Sequence, residues 1–430
     1  MRRHDDEPLP EDPRYVLPAR RPSSTRTIET VLLASTACLL AAVAWPIATG
    51  GLGHGDATEV VATGNDPAPD PTPTPAPVPS SGPKIQLALL LDTSGSMDGL
   101  IDQARSRLWN VVNALDSASF HGATPQLEVA VYEYGNDHIS GEVGHIRRVV
   151  GFTAELDDVS KALFSLSTHG GSEHAPQAIV RAADELEWKA GEGVLRVLYV
   201  AGNESFQQGP VAWTTALDVA SARGVVVNTV FCGDAGEMDA PLWKAAAARG
   251  RGRHFVIDHT SRIVDPTTPY DAEIGELGRS INETYLGYGS KGRDGVANQM
   301  AQDDNAFGSG SMVARGLSKS SGSYVNPSWD LVDAVEKGVV DLEQMNEDEL
   351  PEALAGMTAP ERARAVATRK AERTTIASRL AELRTEREGF LATARTDAGS
   401  GVGTGGALDG AMIEAITEQA LRAGFTVGEQ

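Results

Sequence analysis

Apolar and polar positions along this chain change their period several times, and each change predicts an element. Residues 85–91 read Ile-Gln-Leu-Ala-Leu-Leu-Leu between Pro83 and a polar turn. Such a run predicts a strand buried on both faces, as in a parallel sheet. Residues 194–201 (VLRVLYVA) and 225–231 (VVVNTVF) predict two more buried strands. Residues 127–134 (LEVAVYEY) predict a fourth, residues 146–152 an antiparallel edge strand, and residues 254–257 a closing strand. Helical spacing at 108–118, 156–166, 176–188, 211–223 and 238–248 fills the intervals. Strands alternating with helices of about ten to fifteen residues predict an α/β fold over 84–260, a doubly wound, mostly parallel sheet of the Rossmann-like kind.

Beyond residue 260 the rhythm changes. Residues 261–326 predict a polar, Gly/Ser-rich connection with one helix, at 270–285. Residues 327–430 predict a helical C-terminal extension, with helices at 329–345, 360–394 and 411–425 and a Gly-rich hinge at 396–406. The second of these is dense in Arg and Glu, with Val366, Ile376, Leu380, Leu383 and Phe390 as a sparse apolar stripe. Arg at heptad positions argues against a coiled coil and for a hairpin against 329–345.

The N-terminal part has a different character. Residues 1–30 are polar, and residues 31–49 are apolar and uncharged, long enough for a transmembrane helix. Arg14, Arg20, Arg21 and Arg26 precede that segment, and no Lys or Arg follows until Lys84. The positive-inside rule then predicts a single-pass cell-membrane protein with a cytoplasmic N-terminus and the rest outside. A signal peptide cleaved near Ala48-Thr49-Gly50, giving a secreted protein, is the rival expectation. Residues 50–83 form a Pro-rich, disordered linker, a semi-stiff spacer where prolines alternate.

A net charge of −22 argues against nucleic acid as a partner, because phosphates need Lys and Arg. The two cysteines, Cys38 and Cys232, fall in different layers, so no internal disulfide is expected and the core must carry the fold.

The densest chemistry follows the first apolar run, at Asp92-Thr93-Ser94-Gly95-Ser96. One carboxylate and two hydroxyls at alternate positions offer hard oxygen ligands, suited to Mg²⁺ or a similar cation such as Mn²⁺ or Ca²⁺. The rim at the carboxyl ends of the strands is where open α/β sheets bind ligands. The blander alternative is a polar turn whose Ser96 is the N-cap of the next helix.

This motif at the end of a buried strand resembles the von Willebrand factor type A (VWA) domain and its metal-ion-dependent adhesion site, a resemblance covering residues 84–258. Residues 134–136, 201–206, 227–234 and 328–334 are similar to a bacterial, membrane-anchored subgroup. The resemblance implies that a second loop supplies a Thr and a third an Asp. It also implies that an acidic residue of a protein partner fills the vacant position on the metal. Ser172, in Thr168-His169-Gly170-Gly171-Ser172-Glu173-His174, stands at the Thr position, with Thr168 as a substitute. Asn203 stands where the Asp is expected, which removes a charge that Glu173 or Glu204 would restore. The alternatives are a working site of altered charge and a decayed one.

Other patterns fail. Gly401, Gly403 and Gly406 match a dinucleotide fingerprint by letters, but no strand precedes them. His169 and His174 suggest a transition-metal site, yet their loop holds no Cys or Asp. The expected function is a metal-dependent protein-binding module, not an enzyme. A scaffold with a vestigial site and partner binding by the helical tail is the second reading. A metal-dependent hydrolase, with Glu173 or Glu204 as base, is the third.

Overall fold

The computed structural model describes residues 82–258, 260, 266–397 and 408–428. The N-terminus, the apolar segment at 31–49, Cys38, almost all of the Pro-rich linker and most of the 396–406 hinge lie outside the described residues. Among the described residues no helix is long and apolar enough to cross a membrane.

The chain runs β1 (Lys84–Asp92), α1 (Asp98–Leu115), β2 (Ala118–Ser119), β3 (Gln126–Tyr134), β4 (Ile146–Thr153), α2 (Leu156–Phe164) and α3 (Ala175–Glu185). It continues through β5 (Val194–Gly202), α4 (Trp213–Ala222), β6 (Val226–Cys232), α5 (Ala240–Arg249) and β7 (Arg251–Ile257). Then come α6 (Asp271–Ser280), α7 (Gly292–Ser309), α8 (Met312–Ser318), α9 (Leu331–Glu336), α10 (Ala359–Asp397), α11 (Leu408–Arg422) and β8 (Thr426–Val427). The main sheet has six strands in the order β4-β3-β1-β5-β6-β7, and only β4 is antiparallel to its neighbour. β2 and β8 pair separately as a short antiparallel ribbon.

Strand β1 is central, and all nine of its residues are buried. Side chains alternate across a strand, so its two faces feed two cores. Ile85, Leu87, Leu89 and Leu91 join Leu108, Val111 and Val112 of α1 and Met412, Ala415 and Ile416 of α11. Ala88 and Leu90 join Ala178 and Ile179 of α3, Leu217 of α4 and Trp243 of α5. Each such aliphatic side chain contributes roughly 1.5–3 kcal/mol by leaving water.

Helix α11 closes the first core and is fastened to the sheet by polar contacts. The Tyr199 hydroxyl on β5 donates to the Met412 carbonyl at 2.8 Å. Gln419 donates to Asn228 of β6 at 2.6 Å, and Arg253 of β7 pairs with Glu414 and Glu418. Its first residue, Leu408, donates its N–H to Gln103 of α1 at 3.1 Å.

Residues 261–326 hold three α-helices among those described, α6, α7 and α8, where the apolar pattern predicts one. Helix α7 escapes because polar residues do its packing. Gln299 and Gln302 are buried, bonded to the Tyr324 hydroxyl and to Ser160. The predicted helix at 329–345 is also corrected: α9 stops at Glu336, and Gly338 adopts a left-handed φ of 67°. The expected hairpin is therefore replaced by a broader seat. Arg373 of α10 pairs with Asp330 and Asp333 while stacking on Tyr285 at 3.8 Å. Further along, Leu380 and Leu383 enter the main core.

Arg315 of α8 ties this C-terminal region to the sheet domain. Its buried guanidinium pairs with Asp157 of α2 and Asp303 of α7 and lies 4.3 Å from the ring centre of Trp109 on α1. Tyr324 donates to the second oxygen of Asp157 at 2.7 Å. Removing one partner of a buried pair strands the other charge, at about 3–5 kcal/mol. Arg315→Met should therefore lower the urea midpoint by that much in free energy; a loss under about 1 kcal/mol would make this pairing incidental.

Candidate metal centre

Strands β3, β1 and β5 run parallel, so their carboxyl ends meet at one edge, with Asp92 opposite Tyr134 and Leu91 opposite Ala201. Both flanking strands turn away on glycine. A Cβ on Gly135 would lie 2.7 Å from Asp92 Oδ1, and one on Gly202 would lie 3.0 Å from Asp92 Oδ2. Gly135 also has a φ of 85°, which an L side chain rarely adopts. The Asp92 carboxylate fits only because these positions lack side chains.

Three loops are stitched together over this edge by their backbones. Thr93 N–H donates to the Tyr134 carbonyl at 2.8 Å, Gly95 N–H to the Gly170 carbonyl at 2.9 Å, and His169 N–H to the Thr93 carbonyl at 2.9 Å. Beneath them the Thr93 hydroxyl donates to buried Glu133 at 3.1 Å, and Arg147 pairs with that Glu133. Asp92 Oδ1 accepts the Ser94 N–H at 2.7 Å. The Ser94 and Ser96 hydroxyls are 3.3 Å apart, and the Asn203 amide donates to Ser96 at 3.2 Å. Helix α1 starts only after Met97 and has no side-chain cap, so Ser96 is not spent as an N-cap.

The structure thus brings Asp92, Ser94, Ser96 and Asn203 together, and it adds Glu173. Glu173 is buried and its carboxyl hydrogen-bonds with that of Asp92. Burial pushes Asp92 up to about 6, partly offset by hydrogen bonds from Glu173 and Ser94. Burial, then the Asp92 charge, pushes Glu173 up to about 9. Near neutral pH the pair shares one proton, as two adjacent carboxyl groups must.

The other expected residues are placed differently. Ser172 pairs with Gly135 as an isolated bridge, and its hydroxyl hydrogen-bonds to Asp137. Thr168 donates to Asp98 at the start of α1. Glu204 is exposed; its carbonyl accepts the Trp243 indole at 2.8 Å, while its charge reaches both Asp92 and Glu173. Asp137 and Tyr134 take part without belonging to the Asp-x-Ser-x-Ser motif or the loop at 168–174. Their only sequence signal is the strand end Glu-Tyr-Gly-Asn-Asp at 133–137.

Two buried oxygens here lack any partner, Asp92 Oδ2 and Asn203 Oδ1. Unpaired buried acceptors are costly and rare. With the neighbouring hydroxyls they make an all-oxygen donor set, which fits a hard divalent cation better than a soft one.

The family model of the von Willebrand factor type A domain matches residues 86–265. No curated protein matches the chain. Among solved structures the chain is similar to the conserved hypothetical protein BatB from Bacteroides thetaiotaomicron, at 16% identity and a TM-score of 0.32, over 40% of this chain and 90% of that one. It is similar to proximal thread matrix protein 1 from the mussel byssus, with a zinc-occupied MIDAS motif, at 14% identity and a TM-score of 0.32, over 41% of each chain. The SpRpn10 VWA domain is similar at 10% identity and a TM-score of 0.32, over 42% of this chain and 90% of that one.

The carboxyl pair predicts a pH dependence. Both folded values lie above the unfolded range, so the folded state binds more protons and stability falls as pH rises from about 4 toward 9. In the presence of chelator, Glu173→Gln should flatten that fall and melt above the wild type at pH 8. Equal melting temperatures for the two proteins across this range would show that the pair is not strained.

Proposed function

Taking residues 86–265 as a von Willebrand factor type A domain, we propose that the chain is a protein-binding module that works through a divalent cation, with no catalytic role. Asp92, Ser94 and Ser96 hold the cation, Asn203 adds its free amide oxygen, and Ser172 lies in reserve on the adjoining loop. The observation that supports this most is the pair of buried, unpartnered oxygens on Asp92 and Asn203. Loss of the proton that Glu173 shares with Asp92, driven by the arriving cation, supplies the charge that Asn203 lacks. The cation presents a Lewis-acidic position to an acidic side chain of the partner. The ion is Mg²⁺ or a similar hard cation such as Mn²⁺ or Ca²⁺, because every donor is an oxygen. A binding role is favoured over hydrolysis because Asp92 and Glu173 are engaged with each other, while Glu204, the other candidate base, is exposed to solvent.

Metal titrations of the full chain test the site. Mg²⁺ at a hundredfold excess over its dissociation constant should stabilise the protein by about 2.7 kcal/mol. Asp92→Ala should abolish the effect, and Glu173→Gln should weaken binding. Asn203→Asp, which adds a charge, should tighten it about ten-fold, or about 1.4 kcal/mol. Superimposable melts with Mg²⁺ and with chelator would refute the reading.

We further propose that residues 31–49 anchor the chain in the cell membrane, with the domain outside on its Pro-rich spacer. The support is the uncharged apolar run and the arginines that precede it. Protease added to intact cells should then cut in the spacer and release the domain. Spontaneous release, with a new N-terminus near residue 51, would instead establish a cleaved signal.

A further inference from the structure

Strand β7 ends the main sheet, and among the described residues no strand pairs with its outer edge. From His254 to Ile257 its pairing with β6 keeps a regular register. Alternate N–H and C=O groups along it therefore point outward, a template for one more strand. Its side chains alternate between two faces. On one face Arg253 lies over the Phe255 ring and is matched by Glu414 and Glu418 of α11. On the other, Gly252, His254 and Val256 form one wall of a groove of about 670 Å³, and Pro241, Lys244 and Ala248 of α5 form the opposite wall.

Two features give this groove a definite chemistry. The first is charge. Lys244 and Arg251 are exposed, and neither has an acidic partner among the described residues, although the chain carries a net charge of −22. The Arg251 guanidinium reaches the Ser221 carbonyl at 3.4 Å. The second feature is the tautomer of His254. The Thr229 hydroxyl spends its one hydrogen on the Trp243 carbonyl at 2.9 Å, so it accepts at its 2.9 Å contact with His254 Nδ1. The ring proton then sits on Nδ1, and Nε2 keeps an acceptor lone pair on the far side of the ring, toward the groove. Burial, followed by the Lys244 charge, lowers the pKa of this imidazole and keeps it neutral.

We propose that the groove beside β7 is a second interaction surface, which takes an extended acidic segment of a partner protein as an added strand. Main-chain hydrogen bonds to the β7 edge hold such a segment, and alternate side chains select it. Lys244 and Arg251 take its carboxylates, and His254 Nε2 accepts a hydrogen bond from it. Gly252 and Ala248 leave room for its side chains. On the opposite face an apolar residue of the segment covers Phe255, where Arg253 is already neutralised.

Fluorescence anisotropy provides the test, with the full chain titrated into a labelled, capped peptide of about seven residues that alternates Glu and Val. This peptide should bind, more weakly as salt rises, and a version with Lys in place of Glu should not. Lys244→Glu should weaken binding by about ten-fold and leave the melting temperature unchanged, because that side chain is exposed and unpaired. Ala248→Trp, which fills the groove, should abolish it. Methylation of alternate peptide nitrogens should abolish binding in one register and spare it in the other, and hydrogen exchange should slow at residues 251–257 when the peptide is bound. Chelator and Asp92→Ala should leave the affinity unchanged; loss of binding with either would place the peptide at the metal site and overturn the proposal. Equal affinity for the Lys peptide, or no binding of the Glu peptide, would also overturn it. So would a concentration-dependent dimer abolished by Ala248→Trp, which would assign the groove to a second copy of the chain.

Discussion

Strand β1 must be covered on both faces, and most of this architecture follows from that need. Its residues between Lys84 and Asp92 are all buried, including Gln86, whose amide is satisfied by Glu128 and the Glu187 carbonyl. Neither face can be left to water, so helices must come from both directions. The sheet domain supplies α3, α4 and α5 for one face but only α1 and α2 for the other. The remaining cover over β5, β6 and β7 is α11, from the far end of the chain. The C-terminal extension is thus part of the same hydrophobic construction as the strand that carries Asp92.

The same strand sets the electrostatics of the rim. Asp92 is the last residue of β1, and the burial that stabilises the strand also strips its carboxylate of water. Glu173 is then placed against it, which aggravates the problem. A fold under pressure for stability alone would replace one of the two by a neutral group, since buried like charges carry a standing cost. Retaining both, with Gly135 and Gly202 cleared around them, makes sense if a cation completes the arrangement. Strain of this kind gathers where a protein binds something.

Legibility in the sequence tracks how each element is held. The strands and helices up to residue 257 announce themselves because apolar periodicity reports apolar burial, and their cores are apolar. Helix α7 is held by Gln299, Gln302 and Asp303 through hydrogen bonds and ion pairs, which leave no hydrophobic stripe to read, and α8, with Leu317 in the main core, is only seven residues long. Helix α9 is cut short by a left-handed glycine whose effect depends on conformation, not on composition. At the site, Asp92, Ser94 and Ser96 are adjacent in sequence and were readable as a motif. Glu173 could be named only as one of two candidates with Glu204, and Asp137 not at all, because their places depend on which loops the sheet order brings side by side.

The persistence of unmet oxygens on Asp92 and Asn203 is a matter of rigidity. A free loop would relax to pair or expose such atoms, because a buried unpaired acceptor costs about 1–3 kcal/mol. Here relaxation is blocked. The β1 loop is bound by backbone hydrogen bonds to Tyr134 on one side and to His169 and Gly170 on the other. Asp137 N–H in turn donates to the His169 carbonyl, which ties the loop after β3 to the same pair of loops. Asn203 follows directly on β5, whose Ala201 carbonyl is held by the Tyr134 hydroxyl at 2.9 Å. The donor oxygens are therefore positioned before any ligand arrives, and a cation that binds them has little reorganisation to oppose it.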